Sequence, residues 1–169
     1  MQAGPSHEFK VGDKAIYPSR GVTEVVSIEE RKIGGNSLSF YVLRPLDEEN
    51  DLTIRVAVSQ AENVGLRPPI SEEDIEEIFA LLEEQPVAFD NQTWNRRYRG
   101  FMEKIKTGSV FDVAEVMRDL YRLQAEKSLS FGEKKMLERA RNLVVKEIAV
   151  ARARSEEKTQ AEIEKIFEN

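Results

Sequence analysis

The chain has 169 residues, 33% of them charged, with a formal net charge of −6, a single histidine and no cysteine. The lack of cysteine excludes disulfides, thiolate nucleophiles and cysteine-ligated zinc, and His7 alone leaves the usual general base and metal ligand almost unrepresented. No apolar run approaches the ~20 residues of a membrane span, and no signal-like segment opens the chain, so a cytoplasmic protein with no membrane partner is expected. The net charge conceals an asymmetry. Residues 1–91 carry −10, residues 92–154 carry +7 and residues 155–169 carry −3. An acidic half joined to a basic half predicts two modules with different partners, the basic one suited to a polyanion.

Residues 1–8 are polar and are expected to form a flexible N-terminal arm. From Lys10 to about Arg67 the pattern predicts strands. Lys14–Tyr17 leads into a turn at Pro18–Gly21, and Val22–Ile28 is rich in β-branched residues. Ile33-Gly34-Gly35-Asn36-Ser37 predicts a hairpin turn, because glycine supplies positive φ without a Cβ clash. Leu38–Leu43 is a third strand ending near Pro45. The polar turn Asp47–Asp51 precedes a fourth over Leu52–Val58, and Asn63–Leu66 offers a short fifth. So many short strands in under 60 residues predict a small, strongly curved barrel, which buries one face and limits exposed edges.

Pro68-Pro69 ends this region, and the rest predicts helices. Ser71 is an N-cap for a helix whose apolar stripe is Ile75, Ile78, Phe79 and Leu82. A connector over Glu84–Asn91 follows. The second helix covers Thr93–Lys106 and stops at Gly108. Ser109 opens the third, with Val110, Val113, Ala114, Met117, Leu120 and Tyr121 on one face. Ser130-Phe131-Gly132-Glu133 forms a capping box for a long helix to about Ala153. Ser155 caps a last helix ending near Phe167, with Ile163 and Ile166 as apolar contacts. The fold class is therefore α+β, mostly α by residue count. A small β-barrel over 9–67 precedes a compact five-helix domain over 68–169. No repeat or low-complexity tract occurs.

The segment Trp94-Asn95-Arg96-Arg97-Tyr98-Arg99 is the most informative. It places the only tryptophan at a helix start, where free backbone N–H groups and the macrodipole favour phosphate, and adds three guanidinium groups within five residues. An exposed indole there could stack on a base or wedge into a minor groove. The same aromatic pair, at i and i+4, also suits simple packing, and spacing by itself favours that. Lys134 and Lys135 sit on first turns of the long helix, where cations oppose the dipole, which points to an external anion or to ordinary surface lysines. Lys146, Arg152 and Arg154 are expected to form a solvated face with Glu147. Arg31 and Arg55 lie on predicted strands, where arginine serves protein interfaces or blocks edge pairing; spacing favours the second. Carboxylate runs such as Glu72–Glu77 read as a helix's solvent face. No catalytic or metal constellation and no phosphate-binding loop is found, so no enzymatic activity, cofactor, metal or small-molecule ligand is expected.

The residues Phe9-Lys10-Val11-Gly12-Asp13-Lys14-Ala15-Ile16-Tyr17-Pro18, Gly21-Val22 and Val64-Gly65-Leu66-Arg67 resemble the polymerase-interacting domain of the CarD/CdnL family, a module shared with transcription-repair coupling factors. Trp94–Arg99, Lys104-Ile105, Gly108–Val110, Ala114–Val116, Arg118–Leu120 and Leu129–Leu137 resemble that family's helical domain. The resemblance implies a Tudor-like, SH3-type barrel that binds the β subunit of bacterial RNA polymerase. It also implies a helical domain that touches promoter DNA at the upstream edge of the −10 element and stabilises the open complex without reading sequence. By position it places Arg31 and Arg55 at the polymerase interface, Trp94 as a minor-groove wedge, and Arg96, Arg97, Arg99 and Lys134 on the DNA backbone. The chain departs from many relatives at Ala57, where they have proline, and carries Arg99 as the basic residue after Tyr98. Two alternatives stay open: a polymerase-binding adaptor whose helical domain recruits a protein, and a passive repair accessory.

Overall fold

Alternating and helical apolar patterns separate cleanly at the proline pair, and the chain divides there into two compact units, Met1–Pro69 and Ile70–Asn169. The computed structural model describes residues 8–18, 20–46, 52–84 and 94–168, without the side chains of Trp94 and Asn95. The expected arm up to His7, the turn at 47–51 and the connector at 85–91 lie outside the described residues.

The first unit is one antiparallel sheet of β1 (Lys14–Tyr17), β2 (Gly21–Ile33), β3 (Asn36–Pro45) and β4 (Ile54–Ala57), in the order β1-β2-β3-β4. Among the described residues β4 does not pair with β1, so the sheet is open where a closed barrel was expected. Two features account for this. β4 is only four residues long, and the free edge of β1 is taken by Arg67, whose backbone exchanges both bonds with Ile16. The short fifth strand expected at 63–66 does not form, and the bridge lies one residue further on, at Arg67. Phe9, Ala15, Val25, Tyr41, Leu43, Val56, Ala61 and Leu66 form the core. The Phe9 N–H donates to the Tyr41 hydroxyl at 3.2 Å, and the two rings meet edge to face. Gly65 (φ 85°) is required by close packing as well as by φ, since a Cβ there would meet the Pro18 ring at 2.9 Å.

β2 runs five residues beyond the strand expected from sequence. Its distal half, Glu29–Ile33, pairs with Asn36–Phe40 as a hairpin whose turn glycines, Gly34 and Gly35, both have positive φ. Both faces of this extension are largely solvated, so no apolar alternation marks it. An irregularity between Val25 and Ser27 shifts the register at the base of the hairpin.

The second unit packs α1 (Glu72–Glu83), α2 (Trp94–Lys106), α3 (Val110–Glu126), α4 (Phe131–Arg152) and α5 (Glu156–Ile166) around one core. Ile75, Ile78, Leu82, Ile105, Met117, Leu120, Ile148 and Ile163 are fully buried in it. Phe79, Tyr121 and Ile166, expected on the same stripes, pack at its margin. Ser71, Ser130 and Ser155 cap their helices as the sequence predicts, each accepting a backbone N–H from the third residue on. α1 ends without a basic residue of its own. Arg118 and Arg122 of α3 instead donate to the carbonyls of Leu81 and Leu82.

Of the solvated face expected for Lys146, Glu147, Arg152 and Arg154, Arg154 is exposed, but Glu147 and Arg152 are not. Glu147 is buried and accepts the Ile70 N–H at 3.1 Å, tying the start of the helical unit to α4. Arg152 grips Glu72 through two bonds of 2.7 and 3.1 Å, approaches Glu162 and lies over the Phe79 ring. One guanidinium thus joins α1, α4 and α5, because only its planar fork can serve two carboxylates and a ring face together.

α4 closes on Ala153, which adopts a left-handed conformation (φ 55°, ψ 44°), while the Arg154 N–H reaches back to the Ala149 carbonyl. A Cβ is strained in that region. Ala153→Gly is expected to raise the unfolding free energy by about 0.5–1 kcal/mol, since relief of strain outweighs the added freedom of the unfolded chain. Thermal and denaturant melts of the full chain check it, and a lowered midpoint would contradict the strain.

Candidate protein and nucleic-acid interfaces

On the hairpin face of the sheet, period-2 alternation sets Glu29 and Arg31 on the same side of β2, with Phe40 and Leu38 opposite them on β3. Arg55 lies opposite Val42, one strand further. The structure brings the two predicted arginines onto one carboxylate. Glu29 Oε1 accepts from Arg55 Nε at 3.2 Å and from Arg31 Nη2 at 3.4 Å. The hydrogen bond from Arg55, helped by both positive charges, holds the Glu29 carboxyl below its ordinary range against a partial loss of solvent. Both guanidinium groups remain about half exposed, and Leu38 and Ile33 stand exposed beside them. Sequence reasoning missed Glu29, although its i, i+2 spacing from Arg31 was the available signal. The arrangement is a solvent-facing patch of fixed guanidinium groups among apolar side chains, which suits a protein surface carrying acceptors.

In the helical unit, the buried face of α2 is set by Phe101 and Ile105. The backbone position of Trp94 falls on the same side by helical spacing; where its ring goes lies outside the described residues. Arg96 and Arg99 are exposed, and Tyr98 is partly so. Arg97 is different. Its side chain is only 16% exposed, and Nη2 lies 3.4 Å from Glu133 Oε2 on the first turn of α4. Glu133 is itself buried, and its other oxygen accepts the Ser130 N–H at 2.9 Å. This one carboxylate closes the capping box and binds α2 to the start of α4. Burial works to raise its pKa, but the bonds from Ser130, the charge of Lys127 and the bond from Arg97 together hold it below the ordinary carboxylate range.

The brace brings the starts of α2 and α4 together. Lys134 and Lys135 are exposed on α4, and Lys135 Nζ lies 5.5 Å from the centre of the Phe131 ring. Phe131 is 77% exposed. Among the described residues neither Arg96, Arg99 nor Lys134 has an ion-pair partner. By contrast, Lys104, Arg118, Lys146, Arg152 and Arg154 are all matched to carboxylates. Sequence reasoning took Glu133 only as a cap and passed over Phe131, because neither the long-range bond to Arg97 nor exposure at a helix start is written in local spacing. No group of acidic or histidine side chains that could hold a metal occurs among the described residues, and no described helix is long and apolar enough to cross a membrane.

Two family models match the chain. The one described as the CarD-like/TRCF RID domain matches residues 9–70, and the one described as the CarD C-terminal domain matches residues 77–164. A protein of Bacillus subtilis (strain 168) named "Putative transcription factor YdeB" is 29% identical over 158 residues, which cover 90% of this chain and 98% of that protein.

The depressed Glu133 carboxyl has a consequence for pH. Its stabilisation is fully present above the unfolded carboxyl's pKa and is lost as pH falls through the lower folded value. Glu133→Gln keeps a cap acceptor but removes the charge, so its stability is expected to fall less steeply than the parent's as pH drops below about 4.5. Denaturant melts between pH 6 and 3 measure this. Parallel pH curves for the two proteins would exclude the charged brace.

Proposed function

The chain belongs to the CarD family, and on that premise we propose that it is a bacterial transcription regulator that binds the RNA polymerase β subunit and stabilises the open promoter complex. The N-terminal unit serves as the Tudor-like polymerase-binding module, through Arg31 and Arg55. The helical unit meets promoter DNA at the upstream edge of the −10 element, through Trp94, Arg96, Arg99 and Lys134. Arg97, held by Glu133, acts by keeping the two helix starts in place as well as by adding charge beside the DNA.

The observation that supports this reading best is that Arg96, Arg99 and Lys134, exposed and without an ion pair among the described residues, stand on two helix starts joined by the Arg97–Glu133 pair. Matching every charge would have been electrostatically easier, so the unmatched cluster suits a polyanion. Contacts of this kind go to phosphates and carry no sequence information. Polymerase supplies the position, and weak local contacts then suffice. A wedged indole favours the unstacked edge of the bubble over the closed duplex, and so slows collapse by differential binding.

Trp94→Ala is expected to shorten open-complex lifetime roughly tenfold, from the ~1–3 kcal/mol typical of base–aromatic stacking, while polymerase binding is retained. Arg99→Ala and Lys134→Ala should each flatten the salt dependence of DNA binding by about 0.9 in log–log slope for each phosphate no longer neutralised. Arg31→Glu with Arg55→Glu should abolish capture of the β subunit. An unaltered open-complex lifetime with Trp94→Ala in a folded protein would remove the wedge, and full capture by the doubly reversed variant would remove the polymerase face.

A further inference from the structure

The solvent-facing stripe of α4 runs Phe131, Lys134, Lys135, Glu138, Arg139 and Asn142, at helical spacing, and it opens on an aromatic ring. That ring does nothing for the fold that the structure reveals. The cap of α4 is made by Ser130 and Glu133. The core side of the helix is carried by Met136, Leu137, Ala140, Val144 and Ile148. Phenylalanine is also a poorer helix former than alanine or leucine at an exposed position. At 77% exposure it is the most exposed large hydrophobic residue among those described. The Lys135 ammonium stands over it, a weak contact when solvated.

We propose that Phe131 is a second aromatic DNA contact of this chain, an inference that rests on the open-complex reading and deepens it. The ring packs on the sugar and base surface beside phosphates held by Lys134 and Lys135, from the α4 side of the site, while Trp94 acts from α2. Three observations carry it. The ring is open to solvent. Positive side chains stand next to it on its own helix. The Arg97–Glu133 brace fixes that helix start against the start of α2, which adds the exposed Arg96 and Arg99. Charge complementarity commits the surface to a polyanion, whose apolar component is the sugar–base surface between phosphates. A protein partner would instead meet Lys134 and Lys135 beside a single ring.

A phenyl contact differs from a cationic one in how salt affects it. Removing the ring releases no counterion, whereas removing a phosphate-bound lysine reduces the salt slope. The test compares Phe131→Ala, Phe131→Trp, Lys134→Ala and Trp94→Ala in the full-length chain, with polymerase holoenzyme on a linear promoter fragment. Open-complex lifetime is read across a salt series, and thermal melts verify folding. Phe131→Ala is expected to shorten lifetime about fivefold to tenfold with an unchanged salt slope, and Phe131→Trp to retain most of it.

Parent-like lifetime with Phe131→Ala, while Trp94→Ala or Lys134→Ala is impaired, would overturn the inference and leave the open-complex reading standing. Parent-like behaviour of all the variants would overturn both. A third measurement uses core polymerase without DNA. If Phe131→Ala weakens capture there, the ring meets protein, and the inference is overturned in favour of that partner.

Discussion

The buried carboxylate of Glu133 is the constraint on which the pairing of the α2 and α4 starts depends. It accepts from Ser130 to start α4 and lies against Arg97 to hold α2, so two helix starts far apart in sequence share one acceptor. A buried carboxylate without such partners would be strongly unfavourable. With them its carboxyl is held below the ordinary range and links the two helices. It also offsets a local electrostatic cost. Lys134 and Lys135 stand on the first turns of α4, against the helix dipole, and a negative charge at the third position supplies the complement that the lysines lack.

Glu29 plays a parallel part in the first unit. It lies between Arg31 on its own strand and Arg55 two strands away, and it holds both guanidinium groups on the sheet face while leaving each exposed. Ion pairs at such a surface add little to stability. Their effect is positional, since two long side chains that would otherwise sample many rotamers are presented together. Binding by a partner then loses less conformational entropy.

The distribution of charge follows from these local pairings. Part of the positive charge of residues 92–154 is engaged within the helical unit. Arg118, Arg122 and Arg152 are turned onto helix ends or carboxylates, where they tie α1 to α3, α4 and α5. Lys104 and Lys146 are matched on the surface. The acidic α1 contributes to this directly, for Glu72 is held ionised by Arg152. Arg96, Arg99, Lys134 and Lys135 stay exposed where α2 and α4 begin, so a chain with net charge −6 still presents cations on both helix starts.

Local chemistry determined much of this protein before any fold was known. Gly34-Gly35 specified the hairpin turn through positive φ, the serines at 71, 130 and 155 specified helix starts through their hydroxyls, and apolar spacing specified the buried faces of α1, α3 and α5. The proline pair marked the break between the two units. The far half of the β2–β3 hairpin was not legible, because a strand solvated on both faces leaves no alternation. Which arginine is free and which is spoken for was equally out of reach. Arg96, Arg97 and Arg99 look alike in a row, and only the approach of Glu133, 36 residues beyond Arg97, turns one inward. The fates of Glu147 and Arg152 were decided in the same way. Charge pairing across long sequence distances depends on packing, and packing is settled by the whole fold rather than by any segment of it.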